Sequence, residues 1–151
     1  MSNTERSRVA LGFDFGTRRI GIAIGHELTG AARGLVTLRR DNRPIDWDAI
    51  GALIDEWSPN VLVVGLPLAL DDAEQEMTHA AHRFGRQLHG RFRLPVYMVD
   101  ERLSSLEADS RLRDAGVWDK RKRIALSDQT AAQIILETWL QDRGNLSTLV
   151  H

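Results

Sequence analysis

The sequence predicts a single α/β domain with a mixed five-stranded sheet and helices on both faces. Two patterns lead to this fold class. Short apolar runs near the N-terminus, separated by turns, are typical of an antiparallel meander. Later apolar runs alternate with segments of helical periodicity, which is typical of parallel strands with crossover helices. The 151 residues are enough for one hydrophobic core. We expect one domain over residues 1–151, with 1–7 and 145–151 flexible.

The meander is predicted from residues 9–14, 19–25 and 35–38. Gly16 and Thr17 interrupt the apolar run between the first two strands, as in a hairpin turn. Residues 39–44 are polar and are expected to form a loop.

The later elements are predicted from the spacing of apolar residues and from capping signals. Four segments have helical character, and two apolar runs between turn signals indicate strands that are buried on both faces. Ser104 with Glu107 matches a capping box. The predicted helices are 45–57, 71–89, 104–114 and 127–143, and the predicted strands are 60–65 and 96–99. Right-handed crossovers make these strands parallel to the first, and residues 117–123 are expected to form a charged loop.

Composition excludes several classes of protein. The chain has no cysteine, so disulfides, thiolate metal sites and cysteine nucleophiles are absent. The N-terminus is polar, unlike a secretory signal, and no apolar run is long enough to cross a bilayer. We therefore expect a cytoplasmic protein with no membrane partner. The net charge of −1 means that any nucleic-acid surface must come from local clustering.

Three acidic residues stand at the boundaries of predicted elements: Asp14 and Glu101 are at strand ends, and Asp128 opens the last predicted helix. Ligands of such sheets bind at the carboxyl ends of the strands. If the last helix packs beside the first strand, the three carboxylates converge, and one of them would take up a proton unless a cation neutralised them. Oxygen ligands favour Mg²⁺ or Mn²⁺, and a pair of such ions can promote phosphodiester cleavage.

Each acid also has a structural explanation that the sequence leaves open. Asp14 could cap its own turn. Glu101 could pair with Arg102 on the surface. Asp128 is electrostatically favourable in the first turn of a helix whatever the function.

Basic residues cluster between the second and third acids. Six bases from Arg111 to Arg123 stand against Asp114 and Asp119, with Trp118 among them. Basic side chains release counterions from phosphates, and an aromatic ring can stack on an unpaired base. The structural alternative is a solvated loop whose tryptophan packs on the core. We predict nucleic-acid contacts at Thr17, Arg18, Arg19, Arg102, Ser104, Trp118, Lys120, Arg121, Lys122 and Arg123.

Four motifs in order, FDFGTRRIGIAIG (13–25), VVGLPL (63–68), VDERLSS (99–105) and SDQTAAQIILETWL (127–140), carry a family resemblance. The sequence resembles the YqgF family of pre-16S ribosomal RNA nucleases, which are related to Holliday-junction resolvases and have a ribonuclease-H-like fold. The resemblance implies that Asp14, Glu101 and Asp128 are the catalytic, metal-binding acids. One departure is visible: family members often carry a lysine just before the helix aspartate, whereas Ile124 to Ser127 are uncharged here.

Several functions are compatible with these observations. The first is a metal-dependent endonuclease acting on structured RNA, with the precursor of the small ribosomal subunit as partner. The second is a nuclease that resolves branched DNA, usually as a dimer; either a monomer or a homodimer is expected. The third is a phosphotransferase of the actin-like kinase type. It is disfavoured because that architecture needs two lobes, and this chain is long enough for one. A non-catalytic RNA-binding assembly factor is the fourth.

Overall fold

The computed structural model describes residues 8–66, 72–100, 104–142 and 147–151. Its centre is one sheet with the strand order β3-β2-β1-β4-β5-β6. The strands are β1 (Val9–Phe15), β2 (Arg19–His26), β3 (Ala31–Arg39), β4 (Val61–Leu66), β5 (Val96–Asp100) and β6 (Ser147–Leu149).

The mixed character of the sheet is as predicted. β1, β2 and β3 form an antiparallel meander, and β4 and β5 run parallel to β1. The predicted number of strands is wrong, because β6 adds a sixth, antiparallel to β5. It comes from a three-residue stretch too short to show an alternating pattern, and its pairing with a remote strand is a tertiary effect.

The helices are α1 (Trp47–Trp57), α2 (Asp72–Phe92), α3 (Ser104–Asp114) and α4 (Lys120–Asp142). The predicted start of the last helix is wrong: α4 begins seven residues before residue 127. The Asp119 carboxylate accepts hydrogen bonds from the backbone N–H groups of Arg121 (2.9 Å) and Lys122 (3.2 Å), as an N-cap does. Within the described part of the chain, no helix is both long and apolar enough to span a bilayer.

Side-chain alternation in the strands separates two cores. Large residues such as Leu11 and Phe13 point from β1 towards α1 and α2, where they meet Ile50 and Phe84. The opposite face carries small residues such as Ala10, and α4 covers it with Ala132, Ile135, Leu136 and Trp139. α3 packs on the outer side of α4 through Ala108, Ala131 and Ile134.

The small residues let α4 lie directly on the meander. A Cβ atom at Gly21 of β2 would come within 2.7 Å of the Asp128 Cβ atom and still closer to the Asp128 carbonyl, and one at Gly34 of β3 would lie 2.8 Å from the Gln129 Cβ atom. No side chain larger than hydrogen fits at Gly21 without moving the helix. The position of Asp128 relative to the first strands is therefore fixed by direct contact.

Candidate active site

Asp14 lies near the carboxyl end of β1, on the face of the sheet that α4 covers. It is half-buried and stands directly opposite Gly21 in the antiparallel β1–β2 pair. Gly12, two residues earlier and therefore on the same face, lies against Leu136 and Ala132 of α4. Since opposite residues of such a pair share a face, the Asp14 side chain projects towards the helix that carries Asp128.

Asp128 reaches the same place from α4. Its Cβ atom lies 2.7 Å from the position that a Gly21 Cβ would occupy. Opposite residues have Cβ atoms about 4.5–5.5 Å apart, so the Cβ atoms of Asp14 and Asp128 lie within roughly 8 Å of each other. Two of the three acids that the sequence singles out are therefore neighbours, although 114 residues separate them in the chain.

The helix dipole cannot explain why Asp128 is an acid. The sequence placed it in the first turn of the last helix, which is wrong; it is the ninth residue of α4. The favourable effect of a helix dipole on a carboxylate is confined to the first turn. The dipole explanation therefore does not apply, and a different partner must account for a half-buried acid at this point.

Arg19 is that partner in the structure. Its Nε atom donates to the Asp128 Oδ2 atom at 2.5 Å, and the two side chains are 37% and 19% exposed. Arg19 precedes Gly21 by two residues in β2, so it projects from the α4 face as Asp14 does. The sequence predicted a phosphate contact for Arg19 and gave no sign of this ion pair, which joins residues 109 positions apart.

The third acid, Glu101, lies outside the described residues, as does Arg102. The strand before them, β5, shows which edge of the sheet they follow. β5 runs parallel to β4 and β1, so the three strands end at one edge of the sheet. Val99 and Tyr97 of β5 belong to the α4 side of the core. Among the residues that the structure describes, no three His, Asp or Glu side chains form a complete metal site; Asp14 and Asp128 supply two carboxylates.

The turn after Asp14 is held by the loop that follows β3. The Arg40 Nη1 atom donates to the Gly16 carbonyl at 3.2 Å, and the Arg40 backbone N–H donates to the Arg18 carbonyl at 2.8 Å. The Asn42 N–H donates to the Thr17 carbonyl at 2.9 Å. Burial lowers the pKa of the Arg40 guanidinium from its usual value. These contacts leave the Thr17 and Arg18 side chains exposed, and the sequence gave no indication of Arg40.

Because α4 begins earlier than predicted, part of the basic cluster lies on the helix and not in a loop. Residues 120–123 form the first turn of the helix, where Arg121 and Lys122 are exposed, and Trp118 just before it is 67% exposed. The Arg111 Nη1 atom pairs with the Glu137 Oε1 atom at 3.0 Å. The side chains of Lys120, Arg123 and Ser104 lie outside what the structure describes. At 1.5 Å per residue, the basic turn lies roughly 7–12 Å along the helix from Asp128.

Comparison with known proteins adds the family. Residues 8–142 match the profile of RuvX, described as "Holliday junction resolvase". The chain belongs to the RuvX (YqgF) family. This confirms the resemblance drawn from the four motifs.

Relatives of this RuvX-family chain are similar over nearly their whole length. A protein of Nitrosococcus oceani is 49% identical over 142 residues, covering 93% of this chain and 91% of the relative. One of Burkholderia ambifaria is 50% identical over 135 residues, covering 89% and 90% respectively. Both are provisionally named pre-16S rRNA nucleases.

Solved structures confirm the fold. Thermus thermophilus RuvC in complex with a Holliday junction substrate superposes with a TM-score of 0.56 at 15% identity, covering 94% of this chain and 99% of RuvC. The fowlpox virus resolvase in complex with Holliday junction DNA gives 0.52 at 8% identity, covering 91% and 99%. At these identities the likeness shows the fold alone, which is the ribonuclease-H-like mixed sheet expected from the sequence.

The donor atoms at this edge suit a hard divalent cation. Asp14 and Asp128 offer carboxylate oxygens on one face, and such oxygens are the ligands that Mg²⁺ and Mn²⁺ prefer. The guanidinium on Asp128 shows that this carboxylate attracts a positive partner within the fold. The residues present therefore fit a metal site that a third carboxylate would complete.

Proposed function

We propose that this chain is a Mg²⁺- or Mn²⁺-dependent endonuclease that hydrolyses phosphodiester bonds in structured RNA, with the precursor of 16S ribosomal RNA as its substrate. The proposal rests on one observation above all: Asp14 of β1 and Asp128 of α4 meet on one face at the carboxyl edge of the sheet. The names of the relatives support the choice of substrate. That substrate implies a cytoplasmic protein.

Glu101 is the proposed third acid. It is the first residue after β5, which ends at the same edge of the sheet as β1. With Asp14 and Asp128 it would hold the cation. When bound, the metal supplies activation of a water molecule and stabilisation of the leaving oxygen.

The protein's own contribution is to place the acids rigidly and to bind the phosphate backbone. α4 contacts β2 directly at Gly21, which pairs with Asp14 of β1, so Asp14 and Asp128 keep their separation without help from a loop. Arg19 balances the charge of Asp128 in the structure. A phosphate entering the site would offer Arg19 a second anionic partner at the same strand end.

The proposed nucleic-acid surface has two parts beside this site. Thr17 and Arg18 are exposed in the turn after β1, and Trp118, Arg121 and Lys122 are exposed at the start of α4. Positive side chains bind phosphates irrespective of sequence, and an exposed tryptophan can stack on a base. Arg102, Ser104, Lys120 and Arg123 are proposed to extend the same surface.

Cleavage by acid-to-amide variants is the test. A labelled precursor fragment that spans the 5′ end of 16S RNA is incubated with wild type, Asp14→Asn and Asp128→Asn in Mg²⁺ or Mn²⁺. We expect both variants to lose at least about 100-fold in rate, because each loses a charged ligand. RNA affinity measured in EDTA and the melting temperature of Asp14→Asn should stay close to those of wild type. Asp55→Asn, which removes an exposed carboxylate of α1, is the control.

Asp14→Asn cutting at the wild-type rate would overturn the assignment. If no preparation cleaves, and the amide variants bind RNA as well as wild type, the protein is instead a non-catalytic assembly factor. Tight ATP binding would indicate a phosphotransferase.

A second candidate is resolution of four-way DNA, which the description of the matching family profile favours. A resolvase cuts two strands symmetrically and needs two active sites, so a homodimer is required. Parallel assays on a four-way DNA junction and on precursor RNA, with the mass of the protein measured in solution, separate the two. Paired symmetrical nicks by a dimer would replace the RNA assignment, whereas RNA cleavage by a monomer would support it.

A further inference from the structure

A groove of about 310 Å³ lies at the same strand end as Asp14 but on the other face of the sheet. Phe15 follows Asp14 directly, so its side chain points to the opposite side, where it stacks on Phe84 of α2 at 4.6 Å between ring centroids. Phe15 lines this groove together with Thr17 of the turn and Trp47 of α1. The groove therefore begins one residue from the proposed metal site.

The walls combine aromatic rings with positive charge. Phe15 and Trp47 are half-buried and line the groove with their ring edges, because Phe84 stacks on one face of each ring and the Arg40 and Arg91 guanidinium groups lie over the other faces. Arg40 and Arg83 contribute guanidinium groups, and Thr17 contributes a hydroxyl. No carboxylate occurs among the described lining residues. A ligand that matches this lining has a flat unsaturated ring and a negative group beside it.

The two arginines have donors left for an anion. Arg40 uses its Nε atom on the Arg43 carbonyl (3.1 Å) and its Nη1 atom on the Gly16 carbonyl (3.2 Å). A guanidinium has five N–H groups, so about three remain. Its carbon lies 5.1 Å from the centre of the Phe15 ring, next to the aromatic wall. Arg83 is exposed on α2, with no ion pair to another residue of the described chain.

We propose that this groove binds one unpaired nucleotide of the substrate strand, with its base against the ring edges of Phe15 and Trp47 and its phosphate on Arg40 and Arg83. The inference rests on the proposed nuclease function and adds a preference to it. Because Phe15 and Asp14 are adjacent, a strand whose scissile phosphate lies at Asp14 can pass over the sheet edge into the groove. Substrates with an unpaired nucleotide beside the cleavage point are then favoured over fully paired ones.

Binding without metal tests the site apart from the chemistry. In EDTA, tryptophan fluorescence is titrated with AMP and with a short single-stranded oligoadenylate, in a Trp118→Phe background that removes the signal from the exposed tryptophan at the start of α4. We expect both probes to change the emission of the three remaining tryptophans, of which only Trp47 lines the groove. Arg83→Gln should weaken binding of the oligonucleotide at least fivefold. Ala80→Leu, which places a larger side chain into the groove from α2, should abolish it.

The matched control is Arg86→Gln, which removes another exposed arginine of α2 that does not line the groove. It should bind as wild type does. Wild-type affinity in both Arg83→Gln and Ala80→Leu overturns the proposal; if Ala80→Leu fails to fold, Arg83→Gln decides alone. Binding of AMP that the oligoadenylate does not displace would indicate a site for free nucleotides and would also overturn it.

Cleavage assays distinguish failure of this inference from failure of the nuclease assignment. RNA duplexes with and without one unpaired nucleotide at the cleavage point are compared. A smaller preference for the unpaired substrate in Arg83→Gln, with cleavage of the paired one unchanged, supports the groove. An unchanged preference, with cleavage still dependent on Asp14, rejects the groove and leaves the nuclease intact. If no RNA is cut, nucleotide binding that depends on Arg83 still supports the groove.

Discussion

The Asp128 carboxylate has two possible positive partners, and only one of them is a metal. Arg19 holds one of its oxygens at 2.5 Å. A guanidinium about 5 Å from a divalent ion opposes its binding by about 1–2 kcal/mol even at the dielectric constant of water. The ion pair and the proposed metal site therefore compete for the same acid.

Arg19→Gln is expected to bind Mn²⁺ about five- to thirtyfold more tightly, because the competing charge is gone. Calorimetric titration of the protein without nucleic acid measures this directly. Stability without metal should fall by no more than about 1 kcal/mol, since the pair is partly solvated.

Arg18→Gln is the control for Arg19→Gln. Arg18 is the exposed residue just before Arg19, in the turn that leads into β2, and its loss should leave Mn²⁺ affinity unchanged. Weaker Mn²⁺ binding by Arg19→Gln would contradict the competition and would show that Arg19 holds Asp128 in the geometry that the metal needs.

Gly21 decides how closely α4 approaches β2. A methyl group there would overlap the Asp128 backbone. We expect Gly21→Ala to destabilise the protein by about 1–3 kcal/mol or more, the usual range for overpacking. Because the helix must move, the separation of Asp14 and Asp128 changes, so metal affinity should fall too. Chemical denaturation and calorimetric titration measure the two effects.

Gly90→Ala provides the contrast. Gly90 lies in α2 with no atom close to the added methyl. Alanine is preferred to glycine within helices, so stability should rise by up to about 1 kcal/mol. Equal effects of the two substitutions would contradict the role given to the contact at Gly21.

At the scale of elements, the start of α4 is unusual. Residues 120–123 place four positive charges in its first turn. The N-terminal end of a helix favours negative groups, each by about 0.3–1 kcal/mol, and therefore disfavours these cations. Asp119 offsets part of this by capping the helix. Such an arrangement reduces stability, and binding of phosphates is the function that would explain it.

Arg121→Gln and Lys122→Gln should therefore have opposite effects on stability and on binding. Each should raise the melting temperature slightly, by relieving repulsion with the helix dipole. Each should also weaken RNA binding and lower the slope of log affinity against log salt by about 0.7–0.9. Fluorescence anisotropy in EDTA over a range of salt concentrations measures both quantities.

Arg86→Gln removes one charge from α2, away from this turn, and controls for net charge. Its salt slope should equal that of wild type. If all three variants lower the slope equally, binding is diffuse and the start of α4 has no special part in it.

The start of α4 was predicted incorrectly from the sequence. The apolar run of β1 and the turn after it are local features, so the sequence predicted the sheet edge at which Asp14 lies. The dense charge of residues 120–123 was interpreted as a loop, and the capping signal of Asp119 was missed. That signal could have been found, since an Asp before a helical run is typical of an N-cap.

Other features depend on contacts that no local pattern encodes. The Arg19–Asp128 pair joins segments more than 100 residues apart, and it forms only because small residues let α4 settle on β2. β6 forms as a strand because it pairs with the free edge of β5. The Arg40 contacts to the turn after β1 likewise require β3 to lie beside β2.

At the scale of the whole molecule, the strand order gathers remote segments. β1 is central, and β4 and β5 follow it in parallel on one side. At the carboxyl edge that these strands share, α4 covers one face and the groove lined by Phe15 and Trp47 lies on the other. If a divalent cation binds there, it links β1 to α4 and must stabilise the folded chain, because the unfolded chain has no such site.

We therefore expect divalent cations to raise the melting temperature of the wild type. At 100 times its dissociation constant, an ion that binds only the native state adds about 2.7 kcal/mol. For a chain of this size that is a rise of roughly 5–10 °C. Asp14→Asn should lose most of this rise, whereas Asp55→Asn on α1 should keep it. Scanning calorimetry with Mn²⁺ or with EDTA gives the comparison. An equal rise in Asp14→Asn would mean that the ion binds elsewhere, and the convergence of Asp14 and Asp128 would then need another explanation.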